Sequence, residues 1–211
     1  MSGPADSTRA DPPGHWRRYR LLYAVLAICI APVAASYFAY YVMPPSGRTN
    51  YGALITPPRP LPAALEQTHL DGTSDSVASL AGKWVLLSAS GANCSERCNA
   101  ALLQMRQQRL MTGKDRDRVE RLWLVIDKAP VSTMILREYE GMHVAHAAPP
   151  SVVREWLALE PGEASDGVVW LMDPMGNLMM RWPQDPEPQK VKKDLARLLT
   201  ASSHWVRIEK K

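Results

Sequence analysis

Cys94 and Cys98, with three residues between them in the run GANCSERCNA, are the side chains of this 211-residue chain best suited to chemistry. A thiol pair at this spacing supports three roles: reversible disulfide exchange, joint coordination of a soft metal, or a static disulfide that clips a loop. The thiolate is both the nucleophile and the metal ligand, so the surroundings of the sulfurs decide among them. Cys98, Ala101, Leu102 and Met105 recur at i, i+3, i+4 and i+7, one face of a helix. That places Cys94 in the loop leading into the helix and Cys98 in its first turn. A helix N-terminus stabilises anions through its free N–H groups and dipole, and Arg97 adds a positive neighbour. Both sulfurs then lie on one side of the turn, within reach of a disulfide or of a shared Cu(I), a cation that soft thiolates favour. A pair that opens a helix at the carboxyl edge of a sheet sits where α/β proteins place reactive groups, which argues against the static clip.

Few other residues compete. His143 and His146, in GMHVAHAAPP, are three apart in what reads as a loop before two prolines, and are candidate extra ligands for a metal held by the cysteines. His69 and His204 read as isolated surface residues and His15 as part of the N-terminal tail. Met172 and Met180 read as core filling, with Met175 topping a turn. The charge run GKDRDRVER mixes both signs and reads as a solvated helix end and loop. There is no phosphate-cradling glycine loop, no His-Glu-x-x-His and no arrangement of Ser, His and Asp for acyl transfer. A net charge of +4, with arginine clustered near the N-terminus, gives no support to nucleic-acid binding. Three cysteines are too few for a disulfide scaffold, and Cys29 lies inside an apolar run.

That run, residues 21–43, carries no charged residue and has the length needed to cross a bilayer core of roughly 30 Å. Arg17, Arg18 and Arg20 precede it, only Arg48 follows nearby, and Tyr37, Tyr40 and Tyr41 form an aromatic belt at its far end. The expected organisation is a disordered cytoplasmic tail over 1–20, a transmembrane helix over 21–43, a proline-rich linker over 44–66 and an exported domain over 67–205. A cleavable leader is the alternative, with small residues in VAAS, but the apolar run continues beyond them to Met43.

The domain alternates strands and helices. KWVLLSAS (83–90), RLWLVID (121–127), GVVWLMD (167–173) and LMMRW (178–182) read as strands. Helices are expected after the cysteines, from the Ser132 cap to about Glu140, from Ser151 to about Leu159, and after Asp185 with Val191, Leu195, Leu198 and Leu199 inward. The order β-α-β-α-α-β-β-α predicts an α/β fold: a thioredoxin-like mixed sheet flanked by helices, preceded by one transmembrane helix.

The runs TNYGALITPPRPLP, LDG (70–72), LAGKWVLLSASGANCSERC, LWLVID and VVWLMDPMGNLMMRW resemble the Sco/SenC family over about residues 49–200. The resemblance implies a membrane-anchored, thioredoxin-fold protein of the bacterial inner membrane, its domain in the periplasm, that assists copper delivery to cytochrome c oxidase. Its most specific element is the Cys-x3-Cys after the strand. Family members also carry a histidine just before the third strand as a third copper ligand. Counting back from DPMG puts that position near Ser165, and no histidine occurs there. The aspartate-rich stretch after the second strand is reduced to IDKAP, retaining Asp127. The expected function is therefore thiol–disulfide exchange with a copper-site client such as a cytochrome c oxidase subunit, Cys94 attacking and Cys98 resolving. The alternatives are a Cu(I) chaperone using Cys94 and Cys98, with His143 or His146, and an assembly scaffold whose disulfide is structural.

Overall fold

The computed structural model describes residues 15–42, 50–63, 66–69 and 80–203. The chain divides into two compact units at residues 49 and 50. The first contains one long helix, α1 (His15–Val42), with Pro32 inside it. Within α1, Tyr19–Tyr41 is a 23-residue segment long and apolar enough to cross a membrane, and none of its most apolar stretch is buried in the unit. A helix interior tolerates proline poorly in water, whereas membrane helices accommodate it. The expected tail of residues 1–20 falls largely outside the described residues.

The second unit contains β1 (Ala53–Pro60), β2 (Glu66–His69), β3 (Trp84–Ser90), α2 (Glu96–Met111) and a 3-10 turn (Gly113–Arg118). It continues through β4 (Val119–Val125), α3 (Thr133–Glu138), β5 (His143–Ala148), α4 (Pro150–Trp156), β6 (Trp170–Met172), β7 (Asn177–Arg181) and α5 (Pro188–Ala201). These strands form one seven-stranded mixed sheet in the order β1-β7-β6-β3-β4-β5-β2. β3 and β4 are parallel, as are β4 and β5, while β6 runs antiparallel to β3. The thioredoxin-like arrangement predicted from the sequence is present.

Both faces of the central strands are covered, which is why WVLL in β3 and LWLV in β4 read as continuous apolar runs rather than alternating ones. Trp84 and Leu86 of β3 join Trp123 of β4, Leu102 and Met105 of α2, and Val191 and Leu195 of α5 in one core. Val85, Leu87, Leu122 and Leu124 face the other way and pack with Trp156, Leu157 and Trp170. Met172 and Met180 are buried and Met175 is exposed at the turn, as the pattern of the hairpin implied.

Three strands depart from the sequence reading. The expected linker over 44–66 contains β1, an edge strand antiparallel to β7 whose register shifts between Leu54 and Arg59. Pro57, Pro58 and Pro60 suggested an extended tether, but an edge strand accepts proline because one side of its ladder is unpaired. The start of this strand is fastened by the Asp194 carboxylate, which accepts from the backbone N–H of Tyr51 at 3.1 Å and of Gly52 at 2.8 Å. A Cβ at Gly52 would meet Met180 Sδ at 2.6 Å and Trp182 Nε1 at 2.9 Å, so a side chain there would have to displace both. The second departure is β2, paired with β5 in the stretch that straddles the expected start of the domain. The third is β5 itself, a strand parallel to β4 where a loop before two prolines was expected. The LDG run and His204 lie outside the described residues.

Candidate functional site

The site forms where β3 ends and α2 begins. β3 delivers Ser90 in the buried sheet, Gly91 breaks away, and Ser95 caps α2, accepting from the Cys98 N–H at 3.2 Å. A serine immediately before a helix is a favoured cap because its side-chain oxygen satisfies one of the free N–H groups of the first turn. Cys94 and Cys98 are joined in a disulfide with Cα atoms 5.2 Å apart. Cys98 is fully buried on the α2 face it shares with Ala101, Leu102 and Met105, whereas Cys94 is half-buried in the preceding loop. The two sulfurs therefore differ in access, one open to a partner and one sealed in the core.

Two carboxylates shape the loop. Asp127, just past β4, accepts from the Ala92 N–H at 3.1 and 3.2 Å and from the Ala129 N–H at 3.2 Å. A Cβ at Gly91 would lie 2.6 Å from Asp127 Oδ2, so the carboxylate fills the space that glycine leaves. Asp166, from the loop before β6, accepts a short hydrogen bond from the Ser95 hydroxyl. Its other oxygen, Oδ1, is buried with no hydrogen-bond partner among the described residues. Gly167 follows with φ +82°, and a Cβ there would lie 3.1 Å from Arg97 Cβ, so the loop can lie this close to the start of α2 only with glycine.

Beside Cys94 opens a cleft of about 380 Å³ lined by Ser90, Asn93, Cys94, Ser95, Arg154, Ser165 and Asp166. Ser165 is buried in its wall. Ser165, near which the sequence resemblance implied a histidine, thus lines the cysteine cleft with a hydroxyl.

The histidines are placed elsewhere. Residues three apart in a helix share a face, but in a strand they point to opposite faces. On β5, His143 pairs in register with Leu122 and His146 with Val125, so they stand at different heights of the sheet as well. His143 Nε2 is 4.0 Å from Glu120 Oε2, at the amino end of β4. His146 Nδ1 lies 2.9 Å from the Asp127 carbonyl oxygen, and the ring borders a separate hollow with Lys128 and Pro150. Neither lines the cleft of Cys94. Among the described residues no group of three or more His, Cys, Asp or Glu is placed to hold a metal ion. Cys94 is the sulfur that lines the cleft and Cys98 lies buried behind it, so a soft cation held by the reduced pair would have two sulfur ligands and no imidazole from the cleft lining.

Four residues at or beside the site escaped the sequence reading: Ser90, Ser95, Asp166 and Trp123, whose indole N–H donates to the Ser90 hydroxyl oxygen at 2.8 Å. Ser95 carried a signal, a capping residue directly before a helical pattern. Ser90, Trp123 and Asp166 are brought in by the sheet and a distant loop, and nothing local marks them.

A parallel β-α-β unit, an antiparallel hairpin, a closing helix and a cysteine pair opening the first helix define a thioredoxin-like domain. The chain belongs to the family described as transmembrane-like, thioredoxin-like, C-terminal domain, whose model matches residues 84–202. Among solved structures, copper-bound yeast Sco1 matches with a TM-score of 0.52 at 15% identity, covering 78% of this chain and 100% of that one. Apo Sco1 from Thermus thermophilus matches with 0.50 at 17% identity, covering 74% and 98%. A putative electron transport protein from Aquifex aeolicus VF5 matches with 0.54 at 15% identity, covering 69% and 98%. At these identities the likeness is one of fold. A comparison with curated proteins found no match.

Proposed function

We propose that the chain is a membrane-anchored thiol–disulfide protein of the bacterial inner membrane, with its domain in the periplasm, that exchanges a disulfide with the copper-site cysteines of a client such as a cytochrome c oxidase subunit. The observation that carries this reading is the asymmetry of the pair: Cys94 half-exposed at the mouth of a cleft, Cys98 fully buried behind it. Thiol–disulfide exchange proceeds by in-line attack of a thiolate on an accessible sulfur, so only Cys94 can meet a client. When the pair is reduced, the Cys94 thiolate attacks a client disulfide and Cys98 resolves the adduct. When it is oxidised, a client thiolate attacks Cys94 and Cys98 leaves. The apolar α1 segment, the arginines before it and the resemblance to Sco/SenC sequences support the anchor, the compartment and the class of client.

Trapping tests this reading. Cys98→Ser leaves Cys94 able to form a mixed disulfide but removes the thiol that resolves it. Cells producing the full chain with Cys98→Ser should accumulate a reducible adduct to a membrane-bound oxidase component that is absent with Cys94→Ser. Absence of any Cys94-dependent adduct would contradict exchange.

The two-sulfur donor set favours a second reading, delivery of Cu(I) as cargo by the reduced pair. Copper is present in the yeast Sco1 structure of like fold. With Ser165 where a third ligand would stand, binding should be weak, and Ser165→His should tighten it. Titration of the reduced chain with Cu(I) decides. Tight binding by the native chain that Cys94→Ala abolishes would make copper carriage the primary function, and an unchanged affinity in Ser165→His would mean that position 165 does not face the metal.

A further inference from the structure

We propose that Ser90 is a catalytic residue of the exchange reaction, donating a hydrogen bond to the Cys98 sulfur as that sulfur leaves, and that Trp123 is the positioning residue that aims it. This rests on the exchange reading above. Ser90 stands at the end of β3 and is 3% exposed, and its hydroxyl lies 3.1 Å from Cys98 Sγ. Trp123, fully buried on the neighbouring strand β4, donates its indole N–H to the same hydroxyl oxygen at 2.8 Å. The sheet register explains the meeting. Ser90 pairs with Val125 and Ser88 with Trp123, so the indole reaches diagonally along one face from two residues away.

A hydroxyl has one hydrogen to give and two lone pairs to receive. The indole N–H occupies a lone pair, so the hydrogen must point away from it. Two acceptors are in reach, the Cys98 sulfur at 3.1 Å and the Gly91 carbonyl at 3.5 Å. The nearer one is the sulfur. In the resting disulfide that sulfur is a weak acceptor, and as a thiolate it is a strong one, because hydrogen bonds to charged groups are about twice as strong as neutral ones. Cys98 is also fully buried, so developing charge on it must be met by fixed protein dipoles rather than by water. Its own backbone N–H is already engaged by Ser95. Ser90 is the side chain that supplies a donor directly to the sulfur.

The step balances without any further reactant than the client thiol. The client thiolate attacks Cys94 Sγ and a sulfur–sulfur bond forms between them. The Cys94–Cys98 bond breaks, and its electron pair passes to Cys98 Sγ, where the Ser90 O–H receives the charge. In the reverse direction the Cys98 thiolate attacks Cys94 of the mixed disulfide and the client thiolate departs. An interaction stronger in the charged state than in the disulfide lowers the barrier to ring opening and favours the reduced form.

The full chain in detergent micelles, titrated with dithiothreitol and with glutathione redox buffers, separates the outcomes. If the native pair in the folded protein resists dithiothreitol altogether, the exchange reading itself fails. If it is reduced, Ser90→Ala should slow reduction roughly tenfold or more, the size expected for losing a hydrogen bond to a charged group. The same variant should shift the equilibrium toward the disulfide by a comparable factor, each tenfold being about 30 mV. Trp123→Phe keeps the ring but removes the N–H, and should shift both in the same direction by less, while Ser90→Thr should restore native behaviour. A folded Ser90→Ala chain with native rate and native equilibrium would overturn the proposal. Should Ser90→Ala not fold, Trp123→Phe decides alone: slower reduction supports the relay and an unchanged rate overturns it.

Discussion

The two ends of β3 and β4 are built from similar materials to opposite effect. At the amino ends, most polar groups are closed on one another, although Arg121, which donates Nη2 to the Glu140 carbonyl at 2.8 Å, keeps Nε and Nη1 buried without a partner among the described residues. Glu120 takes Lys83 at 2.8 Å and Arg109 at 3.5 Å, with His143 at 4.0 Å, and Arg118 donates to the Leu199 and Ser202 carbonyls at 2.9 and 3.0 Å. At the carboxyl ends, polar groups are turned toward a cleft. Asp166 keeps one oxygen unpartnered among the described residues, Ser90 gives its hydroxyl to a sulfur, and Cys94 is half-exposed. The difference shows which end has room for a partner. In open α/β sheets the carboxyl ends of parallel strands are where ligands bind, because loops there diverge and helix N-termini point inward. The amino ends serve to hold the strands together.

Substitutions at each end should separate these roles. The largest effect is expected at the carboxyl end: Cys94→Ser should abolish exchange completely, since it removes the only accessible sulfur of the pair. It should lower the melting temperature by less than opening a long loop would, because the closed loop spans only five residues and Cys98 keeps its place in the core. Circular dichroism melting beside an exchange assay checks both halves. A smaller effect is expected at the amino end. Glu120→Gln should lower stability by about 1–2 kcal/mol, the range for losing charge-assisted bonds that are only partly buried, with the exchange rate unchanged. A Glu120→Gln chain that melts normally but exchanges slowly would break the division between the two ends.

Much of the working end was legible in the sequence. The run KWVLLSAS followed by Cys-x3-Cys and a helical apolar pattern placed β3, the loop and α2, and the 3.6-residue period put Cys98 on the inner face. Through the resemblance, counting back from DPMG put the family's histidine position near Ser165, and Ser165 lines the cleft of Cys94. What could not be read depended on partners distant in the chain. β1 carries three prolines and becomes a strand only because β7 offers an edge and Asp194 holds its first N–H groups. β5 is rich in alanine and histidine, with Val144 its one β-branched residue, and is recruited by pairing with β4. That misreading carried the histidines with it: three apart in a helical turn they would converge, and in a strand they diverge. Asp166 reaches Ser95 across 71 positions, a contact no local pattern encodes.

The reduction potential of the Cys94–Cys98 pair in the full chain tests the central claim most directly. An exchange couple at a helix N-terminus, with a hydroxyl donor on its buried sulfur, should be reduced by glutathione buffers and have a potential above roughly −300 mV. A potential below that value, together with a stability loss of roughly 2–5 kcal/mol on removing both cysteines, is the signature of a structural clip and would contradict the account.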